Sequence, residues 1–371
     1  MSALSNLTIV DMSRILAGPF ATQNLADMGA NVIKIEHPKG DDTRRWGPPF
    51  VGRADGTTDA TYYFCANRNK TNVLLDFTIE SDRAQLIKLI KTADVLVENY
   101  KVGGLKKYGL DYASIQQINP NIIYCSITGF GQSGPYKDRP GYDALIQAMG
   151  GLMSITGEAD GAPQKVGVAV VDLMTALYAT TAILAAVNHR HITGQGQHID
   201  IALFDVQASM LANQASAYLM SGQIPMRQGS SHPSIAPYQP LRVKDGYIML
   251  AIGNDAQFVQ FCQSADCAEL ANDARFTTNN ARVAHRTELE TLLSPHMMGK
   301  SIDEWVTLGE QYGFPCGPIN TIDRVFNDVQ LLSRDMVVTT EDGYRLVGNP
   351  MKFSATPIEK FQTPPSLQKH K

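Results

Sequence analysis

The sequence predicts an α/β protein with a parallel β-sheet in its first half and a second, smaller domain. Short apolar runs rich in β-branched residues alternate with helical stretches in that half. This alternation is typical of parallel strands joined by crossover helices. Near residue 222 the chain becomes rich in Gly, Pro and Ser and leads into two strands around an Asp245-Gly246 turn. We therefore expect a Rossmann-like large domain and a smaller α+β domain.

The elements of the large domain are predicted from the spacing of their apolar residues, which is two for a strand and 3.6 for a helix. Strands are expected at residues 7–12, 31–36, 73–77, 94–98, 121–127 and 198–203. Helices are expected at residues 19–28, 81–92, 143–150 and 173–189, with one more ending at Met220. Residues 129–141 are rich in Gly and Pro, which predicts a surface loop.

The smaller domain is predicted to be an insertion. It should hold strands at residues 241–243 and 247–252 and helices near residues 255–262 and 301–312. Further short strands are expected within residues 336–353. The predicted division is therefore a large domain at residues 1–221, a small domain with its linkers at 222–325, and a segment at 326–371 that returns to the large domain.

The balance of charge excludes several kinds of partner. Lys and Arg number 32 against 36 Asp and Glu, and the basic residues are spread along the chain. No basic stripe is present for nucleic acid or an acidic membrane, so an anionic ligand must be held by a local pocket. Charged residues make up 18% of the chain, below the roughly 25% of average soluble domains, which indicates surface hidden against a second copy.

Cysteine usage and the start of the chain indicate a cytoplasmic protein. The five cysteines are odd in number and never spaced as CxxC, so neither a disulfide framework nor a metal site is predicted. The first apolar run begins at Leu7, with no basic region or cleavage site before it. The longest apolar region, residues 173–187, is interrupted by threonines and is expected to be too short to span a bilayer.

Known cofactor and hydrolase motifs are not matched. Glu36 ends the second strand, where a carboxylate can bind a ribose hydroxyl, but the turn from Ser13 to Pro19 has one glycine instead of the three of a dinucleotide fingerprint. That turn can still present amide groups at a helix N-terminus. No GxSxG or HExxH motif occurs. His189 and His191 are expected to lie at a solvated helix end.

Asp172 is a carboxylate for which two roles are open. It directly precedes a long apolar helical stretch, so the simplest interpretation is a helix N-cap that accepts backbone hydrogen bonds. A carboxylate at a helix start is also expected to stay ionised, and an ionised carboxylate can act as a nucleophile without a separate base. The two roles are compatible.

Eight short motifs run in order through nearly the whole chain. They are Leu16-Ala-Gly-Pro19, Gly29-Ala-Asn-Val-Ile-Lys-Ile-Glu36, Gly40-Asp-Asp-Thr-Arg44, Asn67-Arg-Asn-Lys70, Val97-Glu-Asn-Tyr100, Gly141-Tyr-Asp143, Val171-Asp172 and Thr193-Gly-Gln-Gly196. Together they resemble the class III CoA-transferases of the CaiB/BaiF type, which include formyl-CoA transferase and are related to α-methylacyl-CoA racemases.

The resemblance implies an enzyme that moves CoA from an acyl-CoA thioester to a free carboxylic acid. Asp172 falls on the family's nucleophile, which forms an anhydride with the donor acyl group and then an aspartyl-CoA thioester. Backbone amides near Leu16 and Ala17 are the implied donors to the oxyanions of these steps. No tightly bound cofactor is implied, and CoA and acyl-CoA are substrates.

The resemblance also implies the residues around the two parts of the substrate. The acyl group would lie among Trp46, Tyr62 and Tyr142, which exclude water from the anhydride. Gly253 belongs to the loop at residues 252–257, which is shorter than the lid of formyl-CoA transferases. The implied CoA-binding residues are Ile15, His37, Arg44, Leu75, Asn99, Tyr100, Lys107, Arg139 and Tyr142, of which the basic ones suit the phosphates of CoA.

Tyr142 bears on the type of reaction. The racemases place a histidine at this position as a proton-transfer group. A phenol that titrates near 10 is a poor substitute for imidazole near neutral pH. Tyr142 therefore favours transfer over racemisation, while a CoA-ester racemase and a CoA-binding protein without catalysis are the alternatives.

The family fold implies an interlocked homodimer. Three motifs look most similar to the succinyl-CoA:glutarate type and favour a dicarboxylate acceptor: Gly229-Ser-Ser-His232, Pro237-Tyr-Gln239 and Gly317-Pro-Ile-Asn320. The acceptor itself depends on a few pocket contacts that no local motif encodes. The chain stops at residues 364–371, where relatives usually continue through one more helix.

Overall fold

The computed structural model describes residues 2–367 and divides the chain into two compact units. The first unit holds the residues up to 152, residues 165–223 and those from 328 onward, and the second holds residues 153–164 and 224–327. Residues 153–164 were expected in the large domain. They group with the second unit because Arg227 donates to the carbonyl oxygens of Glu158 and Gly161 at 3.2 and 2.9 Å. Residues 368–371 of the predicted C-terminal segment lie outside the described residues.

A six-stranded parallel sheet forms the centre of the first unit. The strands up to residue 202 are β1 (Thr8–Asp11), β2 (Asn31–Glu36), β3 (Phe50–Gly52), β4 (Thr58–Ala60), β5 (Lys70–Leu74), β6 (Val95–Glu98), β7 (Ile123–Thr128) and β8 (His198–Ala202). Strands β3 and β4 form a separate antiparallel hairpin. The other six lie in the order β5-β2-β1-β6-β7-β8. This is the order of doubly wound α/β folds, in which ligands bind where the strand order reverses, here between β1 and β6.

Helices cover both faces of the sheet. The helices up to residue 221 are α1 (Ala17–Asp27), α2 (Thr61–Phe64), α3 (Glu80–Thr92), α4 (Tyr112–Ile118), α5 (Asp143–Met149), α6 (Leu152–Ile155), α7 (Val170–Thr193), α8 (Leu203–Met210) and α9 (Ala212–Ser221). Of these, α6 belongs largely to the second unit. Successive strand residues point to opposite faces. Ile9 therefore shares one core with Leu25 of α1 and Ile183 of α7, while Val10 shares the other core with Leu86 of α3.

The second unit has its own sheet and core. Strands β9 (Tyr238–Val243), β10 (Gly246–Ala251) and β11 (Cys316–Pro318) form an antiparallel sheet in the order β11-β10-β9. Its helices are α10 (Asp255–Ser264), α11 (Ala268–Asn272), α12 (Asn279–Ala284), α13 (Arg286–Met297), α14 (Ile302–Tyr312) and α15 (Ile322–Val325). The buried side chains of Phe258, Phe261 and Trp305 form its core. The chain then adds α16 (Val329–Ser333), β12 (Val337–Thr339) and β13 (Arg345–Val347) to the first unit.

One strand of the parallel sheet lies three residues from its predicted place. The strand expected at residues 73–77 is β5, Lys70–Leu74. Two buried polar residues concealed it, because Lys70 pairs with Asp11 and Asn72 donates to Glu36. The hairpin of β3 and β4 and the short helices α2 and α4 were not predicted from the sequence.

Helix α7 is longer than the sequence indicated. It begins at Val170, three residues before the predicted start, and spans 24 residues. By length and composition alone it could cross a membrane, so the expectation that the apolar stretch is too short was wrong. In the first unit this helix is part of the core, where Ala176, Ala179 and Ile183 are completely buried.

Candidate active site

A cavity of about 200 Å³ lies at the carboxyl ends of β1, β6 and β7, where the strand order reverses. It is lined by the turns after these three strands and by the start of α7: residues 14–17, 99–102, 127–129 and 137–142, with Asp172 and Leu203. Parallel strands place the turns that follow them at one edge of the sheet. Segments distant in sequence therefore meet in one concave site.

The turn after β1 holds a strained residue at the cavity. Ile15 has a φ of 72°, a left-handed conformation that a β-branched residue rarely adopts and that costs on the order of 1–3 kcal/mol. A Cβ at Gly18 would lie 2.3 Å from the Ser13 side chain, so only glycine fits there. Helix α1 starts at Ala17, with Leu16 at the N-cap. The first N–H groups of a helix have no acceptor within it, so the amides of Leu16 and Ala17 can bind an anion in the cavity.

Asp172 is not the N-cap of α7. It is the third residue of the helix, and Asp143 at the start of α5 supplies the capping oxygen instead. Oδ2 of Asp143 accepts hydrogen bonds from the amides of Val171 and Asp172 at 2.8 and 3.1 Å. Within residues 2–367 the carboxylate of Asp172 has neither a hydrogen-bond donor nor an ion-pair partner, and it lines the cavity. The structure therefore corrects the capping interpretation and leaves this carboxylate available for chemistry.

The surroundings of Asp172 raise its pKa to about 7, first through burial and then through the negative charge of Asp143. The expectation that this carboxylate is held firmly ionised was wrong. About half of it is ionised near neutral pH, and a carboxylate of raised pKa is a stronger base and nucleophile once ionised.

The cavity brings together eight of the fifteen residues that the sequence assigned to the site. Ile15, Leu16, Ala17, Asn99, Tyr100, Arg139, Tyr142 and Asp172 all line it. A second cavity of about 320 Å³ in the same unit holds His37 and Leu75. The two cavities share Arg14 and Tyr100, so they form neighbouring parts of one groove.

Sequence reasoning missed Arg14. Its guanidinium lies over the Tyr100 ring, 4.8 Å from the centroid. Its backbone is held by two hydrogen bonds with the side chain of Asn99, at 2.9 and 2.7 Å. The side chain is exposed and has no carboxylate partner among the described residues. Its position directly after the first strand could have indicated a ligand-binding role, because ligands of such sheets bind at the carboxyl ends of the strands.

Arg44 is a core residue and is withdrawn from the predicted CoA phosphate site. Its guanidinium binds both oxygens of Glu36 at 2.8 and 2.7 Å and Oδ2 of Asp59 at 2.8 Å. It also lies 3.6 Å from the centroid of the buried Tyr63 ring. With its donors occupied and the side chain 4% exposed, Arg44 has no group left for a phosphate. The same pairing explains why Glu36 is not free for a ribose.

Four other predicted residues lie elsewhere. Lys107 lines neither cavity, and its ammonium lies 4.8 Å from the centroid of the Tyr108 ring. Trp46 and Tyr62 form an edge-to-face pair with centroids 5.3 Å apart. The pKa of Tyr62 is raised to about 12, mainly by burial, with contributions from Cys65 and then Asp172 that place this ring within electrostatic reach of the cavity. Gly253 belongs to the second unit, where its amide donates to Oε1 of Gln257 at 2.9 Å.

Known proteins resemble this chain along nearly its whole length. The family model for CoA-transferase family III matches residues 4–371. The chain belongs to this family. It is 47% identical over 373 residues to succinate–glutarate CoA-transferase of Agrobacterium fabrum, covering 99% of this chain and 93% of that protein. The human succinyl-CoA:glutarate CoA-transferase is 42% identical over 372 residues, with 99% and 84% covered.

The fold agrees with that assignment. A solved CAIB/BAIF family protein from Brucella suis superposes with a TM-score of 0.90 at 48% identity, covering 98% of this chain and 96% of that one. As a family III CoA-transferase, the chain is an enzyme that moves CoA from a thioester to a carboxylic acid. The predicted family, reaction and six-stranded α/β fold are thereby confirmed.

Proposed function

We propose that Asp172 is the nucleophile and that the enzyme exchanges CoA between two dicarboxylic acids through covalent intermediates on this residue. The observation that carries the proposal is the position of its carboxylate. It faces the cavity without a hydrogen-bond or ion-pair partner among residues 2–367, and the capping duty belongs to Asp143. A half-buried carboxylate that makes no hydrogen bond or ion pair to hold the fold together is suited to a role in the reaction.

The proposed reaction proceeds through two anhydrides and one thioester on Asp172. A carboxylate oxygen of Asp172 attacks the thioester carbon of the donor, the C–S bond breaks, and CoA leaves as a thiolate with an acyl-aspartyl anhydride behind. The thiolate attacks the aspartyl carbonyl, which forms an aspartyl-CoA thioester and releases the donor acid. The acceptor carboxylate then attacks the carbonyl carbon of this thioester, its C–S bond breaks, and CoA leaves again as a thiolate with an anhydride of Asp172 and the acceptor behind. The thiolate attacks the acceptor carbonyl of this anhydride, and the C–O bond to the Asp172 carboxylate breaks. Acyl-CoA is released, and Asp172 is regenerated.

The amides of Leu16 and Ala17 are the proposed donors to the oxyanion of each step. Both residues line the cavity with Asp172, and both amides belong to the uncapped start of α1. The positive end of the helix dipole adds to the attraction. Fixed backbone donors stabilise a developing negative charge without reorganisation during the reaction, which is typically the largest contribution to such catalysis.

The groove of the two cavities is the proposed site of CoA. Arg14 lies at the junction of the two cavities, His37 and Leu75 line one cavity, and Asn99 and Arg139 line the other. Arginine offers several donors in a planar fork that suits phosphate oxygens. Trp46 and Tyr62 are proposed to cover the acyl group, because they form an edge-to-face aromatic pair and the charge of Asp172 contributes to the raised pKa of Tyr62.

Dicarboxylates are the proposed acids because two lines of evidence agree. Similar proteins named for succinate and glutarate share up to 47% of the sequence. The cavity is also lined by Lys101 and Lys137, two positive groups in addition to the residues proposed for CoA. A second carboxylate on the substrate is thereby matched by charge.

The decisive assay incubates the enzyme with succinyl-CoA and a panel of mono- and dicarboxylates, and follows new thioesters by mass spectrometry. We expect transfer to dicarboxylates of about five carbons at the highest rate, and none with Asp172→Asn. A panel in which no acid accepts CoA would contradict transfer. Exchange of an α-hydrogen in deuterated water would instead indicate a racemase, and binding without turnover a CoA-binding protein.

A cytoplasmic homodimer is the proposed working form. On α7 and α9 the first unit exposes large apolar side chains: Leu177 is 47% exposed, Leu219 79% and Met220 89%. Because α7 is also embedded in the core of that unit, a second chain covers its outer face more readily than lipid does. Sedimentation analysis is expected to give twice the chain mass, and a monomer at micromolar concentration would contradict the dimer.

A further inference from the structure

A network of buried charges lies beneath the turn that carries the oxyanion donors. It consists of Asp11, Lys34, Asp41 and Lys70, and we refer to these four residues as the lysine–aspartate network. Lys34 Nζ contacts Asp41 Oδ2 at 3.1 Å, and Lys70 Nζ contacts Asp11 Oδ2 at 3.0 Å. All four side chains are completely inaccessible to solvent.

The two lysines hold both ends of the turn. Lys34 Nζ donates to the carbonyl oxygen of Ser13 at 3.1 Å, where the chain leaves β1. Lys70 Nζ donates to the carbonyl oxygen of Pro19 at 2.8 Å, in the first turn of α1. The residues between these two anchors include Leu16 and Ala17, so the ammonium groups fix the ends of the segment that presents the two amides.

The two aspartates hold the same turn from its interior. Oδ1 of Asp11 accepts a hydrogen bond from the Ser13 amide at 3.0 Å, and its Oδ2 accepts one from the Thr22 hydroxyl at 2.6 Å. Oδ2 of Asp41 accepts one from the Ile15 amide at 3.4 Å. The other oxygen of Asp41 caps the 3₁₀ turn at Asp42–Arg45, which leads directly to Trp46. Asp41 therefore binds both the turn after β1 and the 3₁₀ turn that precedes Trp46, a residue proposed to cover the acyl group.

The left-handed conformation of Ile15 explains why such anchoring is needed. A β-branched residue at a φ of 72° persists only where surrounding contacts enforce it. Buried ion pairs contribute little net stability as a rule, because desolvation of the charges offsets their attraction. We therefore infer that the lysine–aspartate network serves mainly to fix the geometry of the turn, and only secondarily to stabilise the fold.

We propose that Lys34 and Lys70 are positioning residues of the transfer reaction, which hold the Leu16 and Ala17 amides at the place where the oxyanion forms. This inference rests on the proposed roles of those amides and of Asp172. Neither lysine lines the cavity, so both act through the turn and not by contact with substrate.

The test uses two double variants that leave no unpaired buried charge, Lys34→Met with Asp41→Asn and Lys70→Met with Asp11→Asn. The matched control is Arg190→Met with Asp94→Asn, an ion pair of 2.8 Å in the same unit at the opposite edge of the sheet. We expect kcat to fall roughly 10- to 100-fold in the two network variants, because displaced donors lose transition-state stabilisation. KM for succinyl-CoA should change by less than about threefold, and the control should keep wild-type kcat.

Each rate is expressed per folded enzyme, measured by circular dichroism well below the melting temperature. A kcat within twofold of wild type in both network variants, or an equal loss in the control, would overturn the inference. Thr22→Val adds a mild variant that keeps the side-chain shape and removes one hydrogen bond to Asp11. We expect a smaller loss of kcat there, and an unchanged kcat also counts against the proposal.

Hydroxylamine trapping separates this inference from the proposed function. If the wild-type enzyme is trapped at Asp172 and the network variants are trapped there more slowly, both stand. Trapping at another residue in the wild type would contradict the proposed nucleophile, while the kcat of the network variants against the control would still decide whether the lysines position the turn.

Discussion

Asp11 and Asp172 are two carboxylates of the same unit, both withdrawn from solvent, with opposite properties. Burial alone would raise the pKa of Asp11, but Lys70, Lys34 and the hydroxyls of Ser13 and Thr22 lower it to about 2. The pKa of Asp172 is raised to about 7, because burial acts together with the like charge of Asp143 and no cation opposes them. The partners of each carboxylate therefore decide its role. Asp11 is permanently charged and structural, while Asp172 is poised for reaction.

The largest expected effect concerns activity. We predict that Asp172→Asn lowers kcat by at least about 10³-fold, because an amide cannot form the anhydride. Affinity for CoA, measured by calorimetry, should stay close to wild type, since the side chain is isosteric. Retention of more than a few per cent of the transfer rate would remove Asp172 from the nucleophile role and break the comparison.

The contrast between paired and free charges extends to two arginines. We predict that Arg44→Met lowers the free energy of unfolding by about 3–5 kcal/mol in urea, because it leaves Glu36 buried without its ion-pair partner. Arg14→Met should leave that free energy nearly unchanged and raise KM for succinyl-CoA about tenfold through a lost charge-assisted contact. Destabilisation by the Arg14 variant with an unaltered KM would reverse these assignments.

The two carboxylates should also respond oppositely to pH in unfolding experiments. The pKa of Asp172 is higher in the folded state than in the unfolded state. As pH rises from about 4 to 7, the unfolded state loses this proton first, so the free energy of unfolding falls. Asp172→Asn should therefore be more stable than wild type above pH 7, with a difference that vanishes toward pH 4. The pKa of Asp11 lies below its unfolded value, so its contribution is present above about pH 4 and is lost as pH falls toward 2. Asp11→Asn should accordingly be destabilised at pH 7.

The smallest expected effect is a shift of the pH–rate profile. In the proposed mechanism Asp172 attacks in its ionised form, so kcat/KM of the wild type should rise with pH and reach half its maximum near pH 7. We predict that Asp143→Asn moves this midpoint to lower pH, because it removes the neighbouring negative charge. Asp138→Asn is the control, since Asp138 lines the same cavity without acting on the pKa of Asp172. Equal midpoints in all three proteins would contradict the electrostatic link.

Much of the fold could be predicted from the sequence because its elements follow local patterns. β2 was expected at residues 31–36 and lies at Asn31–Glu36. β5 was displaced in the prediction because Lys70 and Asn72 mask its strand character, and their burial depends on partners far away in the chain. Asp172 was identified through its motif. The sequence also predicted that Asp172 caps the start of α7, but in the structure the side chain of Asp143 accepts the hydrogen bonds from the first amides of that helix.

The basic residues show where prediction from local sequence ends. Arg44, Lys107 and Arg139 were all assigned to CoA, yet Arg44 is enclosed in the core and Lys107 lines neither cavity. Arg14 lies at the junction of the two cavities without having been assigned. The local sequence around a charged residue does not show whether its partner is a buried carboxylate or a ligand, because the partner comes from another part of the chain or from outside it.

By itself, the sequence determined the parallel α/β architecture and the family, and it singled out Asp172 as the proposed nucleophile, since periodicity and motifs are local properties of the chain. Only the tertiary structure decided the electrostatic state of that residue. The pKa of Asp172 depends on its burial and on Asp143 from a different helix, and the pKa of Asp11 depends on lysines from two other strands. Solvent exclusion and through-space charge act over distances that the order of residues does not encode.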